Sequence, residues 1–234
     1  MSSPEILTFA FCICDDVTLS DFIPPSEIIG NINAADTPFF PPHLKDTAKY
    51  RVKFDYLAPE KTPPSSILGP SGARVAPTKT YEEATKEGIQ YDVLFVPAGP
   101  LPDPVTGKDR TNKEELAFIA AQAPKAKYIL SVCGGSAILA AAGVLSGRRA
   151  TTNKSAFKMV EAMSPKDITW VAKARWVVDG NIWTSSGVTA GTDMAVAFVE
   201  HLFGKEIASF VRGGAEIIEH GMDDDPFAAF HGHV

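Results

Sequence analysis

The chain has 234 residues, of which 45% are hydrophobic and 21% are charged, the balance of an ordinary folded domain. Its formal net charge is −6 at pH 7 with no basic run to offset it, which argues against nucleic acid or an anionic membrane as a partner. This length suits one α/β domain, and we predict a single domain over residues 1–234, with its core at about 5–218 and a C-terminal tail over 219–234.

Short apolar runs alternate with segments of helical periodicity. Pro24-Pro25 is typical of a helix start, and Asp179-Gly180 predicts the turn of a hairpin. In the first part of the chain we predict a strand over 6–13, a helix over 21–32, an irregular loop over 34–48, a strand over 50–57 and a short strand near 73–76. A helix over 81–86, a strand over 91–96 and a loop over 101–112 follow, and then a helix to 123 that is capped by Thr111 or Asn112. In the last part we predict a strand over 127–132, helices over 136–144 and 155–163, strands over 168–178 and 182–185, and helices over 189–203 and about 205–218.

Repeated strand–helix–strand units with short connections predict a mostly parallel sheet covered by helices on both faces. Ligands of such sheets bind beyond the carboxyl ends of the strands. Asp21, Gly99 and Cys133 each follow a predicted strand. We therefore expect these three residues to meet in one crevice.

The stretch 129–144 is the most informative part of the chain. An apolar strand ends at Cys133, two glycines follow, and an alanine-rich helix begins. This pattern is typical of a nucleophile elbow, a sharp turn that lifts a side chain above the edge of the sheet. The helix N-terminus favours a thiolate over a thiol, so we predict that Cys133 is a nucleophile. A buried structural cysteine is the alternative.

Four further residues are candidates from their positions. Asp21, close to the thiolate, would have a raised pKa and could hold a proton to donate, or it could be only a charge at a helix N-terminus. Gly99 and Gly134 could supply backbone N–H groups to an anion, although Gly99 could also be a plain turn residue. Glu27 is a weaker candidate, as a capping or interface carboxylate.

The remaining cysteines and the histidines carry weaker signals. Cys12 and Cys14 lie on one face of a strand, which argues against a local disulfide or metal site and favours core residues in a reducing cell interior. The histidines near Asp223–Asp225 indicate an exposed, flexible tail rather than a metal site. A catalytic dyad of Cys133 with a histidine that is distant in sequence is kept as an alternative. The N-terminus has the character of a strand, not of a signal peptide, and no window is long enough to span a membrane. We expect a cytoplasmic protein.

Three segments together resemble the DJ-1/PfpI superfamily, and within it the isocyanide hydratase branch. They are 131–152, which begins Ser-Val-Cys-Gly-Gly-Ser, 178–193, which ends Gly-Thr-Asp, and 17–27, which carries Asp21. The resemblance covers roughly Leu7 to Phe210. It implies a flavodoxin-like (class I glutamine amidotransferase-like) three-layer α/β sandwich, and a homodimer with the active site near the subunit interface.

The resemblance also implies a chemistry that needs no metal or organic cofactor. The Cys133 thiolate would attack the terminal carbon of a small electrophile, an isocyanide. Asp21 would deliver a proton to that carbon and then activate water, and hydrolysis of the thioimidate would give an N-substituted formamide. Glu27, Thr151 and Asn153 would support this site from outside.

The chain departs from the branch at three positions. Gly134 stands where the branch has threonine, Asn153 where relatives have histidine, and Ala98 where Pro-Gly-Gly is more usual. Protease-like and glyoxalase-like members generally have histidine directly after the cysteine, so a proteolytic or deglycase function is disfavoured. A glyoxalase-type conversion of an α-oxoaldehyde, a cysteine-based oxidative-stress sensor and a tailoring enzyme of specialised metabolism stay as alternatives. Candidates for the pocket lining are Phe22, Phe39, Phe40 and Trp176.

Overall fold

The computed structural model describes residues 3–63, 72–100, 108 and 110–234. The strands are β1 (Glu5–Cys12), β2 (Tyr50–Ala58), β3 (Lys79–Thr80), β4 (Val93–Val96), β5 (Tyr128–Val132), β6 (Arg149–Ala150), β7 (Thr169–Trp170), β8 (Trp176–Asp179) and β9 (Ile182–Ser185). The helices are α1 (Leu19–Gly30), α2 (Tyr81–Lys86), α3 (Lys113–Gln122), α4 (Gly135–Ala141), α5 (Phe157–Met163), α6 (Val188–Phe203), α7 (Lys205–Gly214) and α8 (Phe227–Phe230).

A seven-stranded sheet in the order β3-β2-β1-β4-β5-β9-β8 forms the centre of the fold. Its strands run parallel except for the β8–β9 hairpin, which is antiparallel, and β6 and β7 form a separate parallel pair. Side chains of β1 alternate between the two faces, as the period of a strand requires: Phe9 and Phe11 pack in one core, Ala10 and Cys12 in the other. Residues of α1, α6 and α7 cover the first core, and those of α2, α3 and α4 cover the second. The predicted three-layer, flavodoxin-like sandwich is confirmed.

The predicted crevice lies where the direction of strand addition reverses. β1 has β2 on one side and β4 on the other, and this switch point opens a gap between the loops at the carboxyl ends of the strands. The loops after β1 and β4 are joined there, because the Thr18 N–H donates to the Ala98 carbonyl at 2.9 Å. The loop after β5 carries Cys133. The convergence of these three loops is therefore confirmed.

Several boundaries differ from the predictions. Helix α1 begins at Leu19, so Pro24 and Pro25 lie inside it rather than at its start, and Asp21 lies in its first turn. The segment predicted as an irregular loop contains 3-10 turns at Asn31–Asp36 and Pro42–Thr47. No strand forms at 73–76, and β3 takes its place. Within the predicted loop over 101–112, residues 101–107 and 109 lie outside the described part, and Asn112 caps α3 through its side chain.

The C-terminal segment, residues 219–234, corrects the expectation of a flexible tail. The Arg175 N–H donates to the Met222 carbonyl at 2.7 Å, and Ala228 on α8 is fully buried. A ring nitrogen of His233, Nε2, lies 2.7 Å from the Lys154 carbonyl oxygen. These contacts pack the segment against the domain, although most of its residues are exposed, as predicted, and Phe227 and Phe230 are among them.

Candidate active site

Cys133 occupies the sharp turn that its neighbours predicted. Its backbone has a φ of +58°, in the left-handed region that a non-glycine residue adopts at a cost of about 1–3 kcal/mol. The strain is held in place by the Cys133 N–H, which donates to the carbonyls of Ser185 and Ser186 at 3.2 and 2.7 Å. Gly135 permits the tight passage into α4, since a Cβ there would lie 2.0 Å from the Val96 carbonyl oxygen. The elbow therefore depends on close backbone contacts with two neighbouring strands.

Asp21 lies beside this thiol and is fully buried. One carboxyl oxygen, Oδ2, accepts a hydrogen bond from the Ala98 N–H at 3.1 Å. Burial raises the pKa of the Asp21 carboxyl to about 7, although the Ala98 N–H and the nearby Cys133 thiol both lower it. The carboxyl group is thus poised to hold or release a proton near neutral pH. The sequence predicted a raised pKa from a neighbouring thiolate, but its cause here is burial, and the Cys133 thiol lowers the pKa.

The protonation state of Cys133 differs from the sequence-based expectation. Burial, and then the charge of Asp21, raise the pKa of the thiol to about 12, whereas the Asn153 amide and the Gly134 N–H lower it. The helix N-terminus does direct an N–H at the sulfur, but desolvation outweighs that donor. Burial therefore favours the protonated thiol over the thiolate, and a reaction of the thiol has to relocate its proton.

The orientation of Asn153 is fixed by its own neighbours. Its carbonyl oxygen, Oδ1, accepts hydrogen bonds from the Ser155 N–H at 2.9 Å and the Ser155 hydroxyl at 2.6 Å. The amide nitrogen, Nδ2, is therefore the atom turned toward the sulfur, and it donates to Cys133 Sγ at 3.3 Å. Asn153 contacts the candidate nucleophile directly, closer than the supporting place that the sequence assigned to it.

Thr152, which the sequence analysis missed, contacts Cys133 where Thr151 does not. The Thr152 hydroxyl donates to the Cys133 carbonyl at 3.0 Å. The Thr151 hydroxyl donates instead to the Val171 carbonyl and accepts a hydrogen bond from Lys154. The two threonines are adjacent and chemically alike, so the sequence does not distinguish them. The path of the backbone directs one hydroxyl to Cys133 and the other to Val171.

Lys154 is a second residue that the sequence gave no means to find. Its ammonium group is buried and donates to the Thr151 hydroxyl at 2.7 Å, and to the carbonyls of Thr152 and Ala174 at 3.2 and 2.8 Å. It also pairs with the buried carboxylate of Asp225 at 3.3 Å. The loop that holds Asn153 and Thr152 against Cys133 is thereby tied to the C-terminal segment.

The remaining predicted residues have different outcomes. Gly99 and Gly134 both border the cavity at Cys133. Their assignment as donors to a bound anion stays a prediction. Glu27 is exposed on α1, where its backbone carbonyl accepts from the amide of Asn31, so within this chain its supporting role is not found.

A cavity of about 300 Å³ opens beside Cys133. None of the four aromatic residues proposed for its lining borders it, and α4 and α5 together supply less than half of the lining residues. Among the described residues, no charged side chain lines this cavity. The lining residues are Ala98, Gly99, Pro100, Thr111, Cys133, Gly134, Ala137, Ile138, Ala140, Ala141, Asn153, Ser155, Ala156, Met159, Val160, Met163, Ser164 and Pro165.

The described residues hold neither a metal-binding cluster nor a membrane-spanning helix. They contain no group of three or more His, Cys, Asp or Glu side chains placed to hold a metal ion, and this includes the histidines of the C-terminal segment. In the same part of the chain, no helix has the length and apolar character to span a bilayer. The cytoplasmic location stays a prediction.

The family of the chain follows from its sequence and this site together. The model of the DJ-1/PfpI family matches residues 11–201, which include both Asp21 and Cys133. The chain therefore belongs to the DJ-1/PfpI family.

Individual relatives within the family carry different names. The chain is 35% identical to isonitrile hydratase of Pseudomonas putida over 146 residues, which are 62% of this chain and 59% of that protein. It is 33% identical over 125 residues to a deglycase of Pyrococcus horikoshii, which are 53% of this chain and 69% of the relative. The crystal structure of a ThiJ/PfpI family protein from Pseudomonas syringae is similar with a TM-score of 0.68 and 27% identity, covering 94% of this chain and 77% of that one. The relatives thus include more than one named activity.

Proposed function

We propose that this protein is a cysteine-dependent hydratase that adds water to an isocyanide and releases an N-substituted formamide. In this proposal Cys133 is the nucleophile and Asp21 carries the protons. One observation carries it: a buried thiol on a strained turn lies beside a carboxyl group whose pKa is raised to about 7. The similarity to isonitrile hydratase, at 35% identity, supports the choice of substrate.

In the first step the thiol sulfur and one proton both add to the terminal carbon of the isocyanide. That carbon accepts both a nucleophile and a proton, so the Cys133 sulfur bonds to it while Asp21 delivers a proton to the same atom. The proton of the thiol passes to Asp21 and replaces the one delivered. The product is a thioimidate, and the raised pKa of the thiol fits a reaction that consumes its proton rather than one that stores a free thiolate.

The second step returns the enzyme to its starting state. Water adds to the carbon–nitrogen double bond, with its oxygen on carbon, and Asp21 takes a proton from water and gives one to nitrogen. The carbon–sulfur bond then breaks, and the hydroxyl proton returns through Asp21 to the sulfur. One water has been added to the isocyanide in total. The donors at the sulfur, Asn153 Nδ2 and the Gly134 N–H, stabilise its negative charge as it attacks and as it leaves.

The test measures formamide produced from cyclohexyl isocyanide by the wild type and by Cys133→Ala, Asp21→Asn and Cys14→Ala. We expect at least a ~10³-fold loss of kcat/KM for Cys133→Ala and about a 10²–10⁴-fold loss for Asp21→Asn. Cys14→Ala removes a buried thiol that does not border the cavity at Cys133, so this variant is the matched control and should retain activity.

A wild type that forms no formamide, although iodoacetamide labels its Cys133, would overturn the proposal. A parallel assay with methylglyoxal then separates a glyoxalase-type activity from a protein that turns over neither compound.

A further inference from the structure

The wall of the cavity beyond Cys133 is a continuous apolar stripe. On α5 and the residue before it, Ala156, Met159, Val160 and Met163 recur at the spacing of one helix face. Met159 and Met163 are 40% and 53% exposed, although their side chains are large and apolar. Single exposed apolar residues are common, but two that prolong the wall of a reactive cavity mark a surface for a ligand.

The two faces of α5 differ sharply in charge. Lys158 and Glu161 lie on the other side of the helix and border a different cavity, together with Lys166. The stripe on the Cys133 side carries no charged residue. The helix therefore separates a solvated, charged face from an apolar face that is open to the site.

Helix α4 provides space opposite this stripe. Ala137, Ala140 and Ala141 line the same cavity with only a methyl group each, and Ile138 borders it near Gly99. Small side chains on one wall and flexible methionines on the other leave a channel whose width adapts to its contents. From Ala156 to Met163 the channel runs about 10 Å, seven residues at the rise of an α-helix.

We propose that the channel between α4 and α5 is the subsite for the N-substituent of the substrate, and that the substrate class is isocyanides with an uncharged, extended alkyl or aryl group. This inference rests on the proposed function, since the isocyanide carbon must lie at Cys133. A charged substituent would lose its hydration in the channel and find no ionic partner among the described lining residues. A substituent about as long as an octyl chain would reach Met163.

The test compares linear alkyl isocyanides from ethyl to decyl as substrates of the wild type, Met163→Glu and Lys158→Glu. Both variants place a carboxylate on an exposed position of α5, but only Met163→Glu places it on the stripe. For the wild type we expect kcat/KM to rise by up to about fourfold per methylene and to level off near octyl. Met163→Glu should flatten that rise, mainly through KM, and leave the ethyl compound unaffected. Lys158→Glu should match the wild type.

A second measurement reads the channel without turnover. N-alkylformamides of the same lengths are added during alkylation of Cys133 by iodoacetamide, and the protection of the thiol is recorded. Protection that grows with chain length, and that Met163→Glu abolishes, supports the subsite even if no isocyanide is converted, in which case only the proposed function fails. Turnover and protection that are independent of chain length would overturn the subsite and leave the hydratase intact. A shift of oligomeric state by Met163→Glu in size-exclusion chromatography would assign the stripe to contact with a second copy and would likewise overturn it.

Discussion

Two buried pairs of a thiol and a carboxyl group lie on either side of Gly99. One is Cys133 with Asp21. The other is Cys14 with Glu115, where Glu115 is fully buried and burial raises the pKa of its carboxyl to about 8. Cys14 packs behind Gly99 so closely that a Cβ on the glycine would lie 2.6 Å from its sulfur.

The pairs differ in what surrounds the sulfur. Burial, the charge of Glu115 and a hydrogen bond with Glu115 all raise the pKa of Cys14. At Cys133, burial and the charge of Asp21 raise the pKa, and the Asn153 amide and the Gly134 N–H oppose them. Cys133 also stands on a strained turn, whereas Cys14 has no positive φ. A carboxyl group beside a buried thiol is therefore not what distinguishes a reactive site, and neither is a cavity, because Cys14 also borders one. The distinguishing features are donors directed at the sulfur and the strained turn that carries it.

The largest effect that we expect concerns the buried ion pair between Lys154 and Asp225, which supports the loop at Cys133. Asp225→Ala leaves the ammonium of Lys154 buried without its ion-pair partner, and should lower the free energy of unfolding by about 3–5 kcal/mol. Chemical denaturation of this variant beside Asp223→Ala, an exposed neighbour, measures the difference. Equal stability of the two variants would show that the C-terminal segment does not hold the loop.

The second prediction separates the two carboxyl groups by pH. Both have a pKa in the folded protein that lies above their unfolded value of about 4, so the folded state keeps protons that the unfolded state has lost. The free energy of unfolding should therefore fall as pH rises from about 4, by up to ~1.4 kcal/mol per pH unit for each group. The stabilisation that protonated Asp21 gives to the folded state is lost by about pH 7, and that of Glu115 by about pH 8.

Denaturation curves of Asp21→Asn and Glu115→Gln at half-unit pH steps test this order. Each variant should fall less steeply than the wild type, and between pH 7 and 8 only Glu115→Gln should differ in slope. Slopes that are identical in all three proteins would contradict the assignment of buried, protonated carboxyl groups.

The smallest expected effect lies at the wall between the pairs. Gly99→Ala would press its methyl group against Cys14 Sγ, at 2.6 Å, and Ile138 Cδ1, at 3.2 Å, and should destabilise the fold by about 1–3 kcal/mol. Because one of these contacts is the thiol, Cys14→Ala should recover part of the loss in a double-mutant cycle. Additive losses would mean that the added methyl group does not press against the Cys14 sulfur.

Much of the fold followed from the pattern of residues. The longer strands and helices, the mostly parallel sheet and the meeting of the loops that carry Asp21, Gly99 and Cys133 were predicted correctly. The short elements were not: no strand forms at 73–76, the strand predicted over 168–178 is divided into β7 and β8, and β6 and α8 were missed. The errors have local causes. Prolines that suit a helix start lie inside α1, and the acidic C-terminal residues, which suggest an exposed tail, include a carboxylate that pairs with Lys154.

The sequence by itself determined the strand, turn and helix around Cys133, because glycine spacing and apolar periodicity are local properties of the chain. It also identified Asp21 as the partner carboxyl. Only the tertiary structure decided that burial favours the thiol over the thiolate at Cys133, that Thr152 rather than Thr151 donates to the Cys133 carbonyl, and that Lys154 ties this loop to Asp225. Desolvation and ion pairing depend on which distant segments exclude water from a group, and that is a property of the packed molecule.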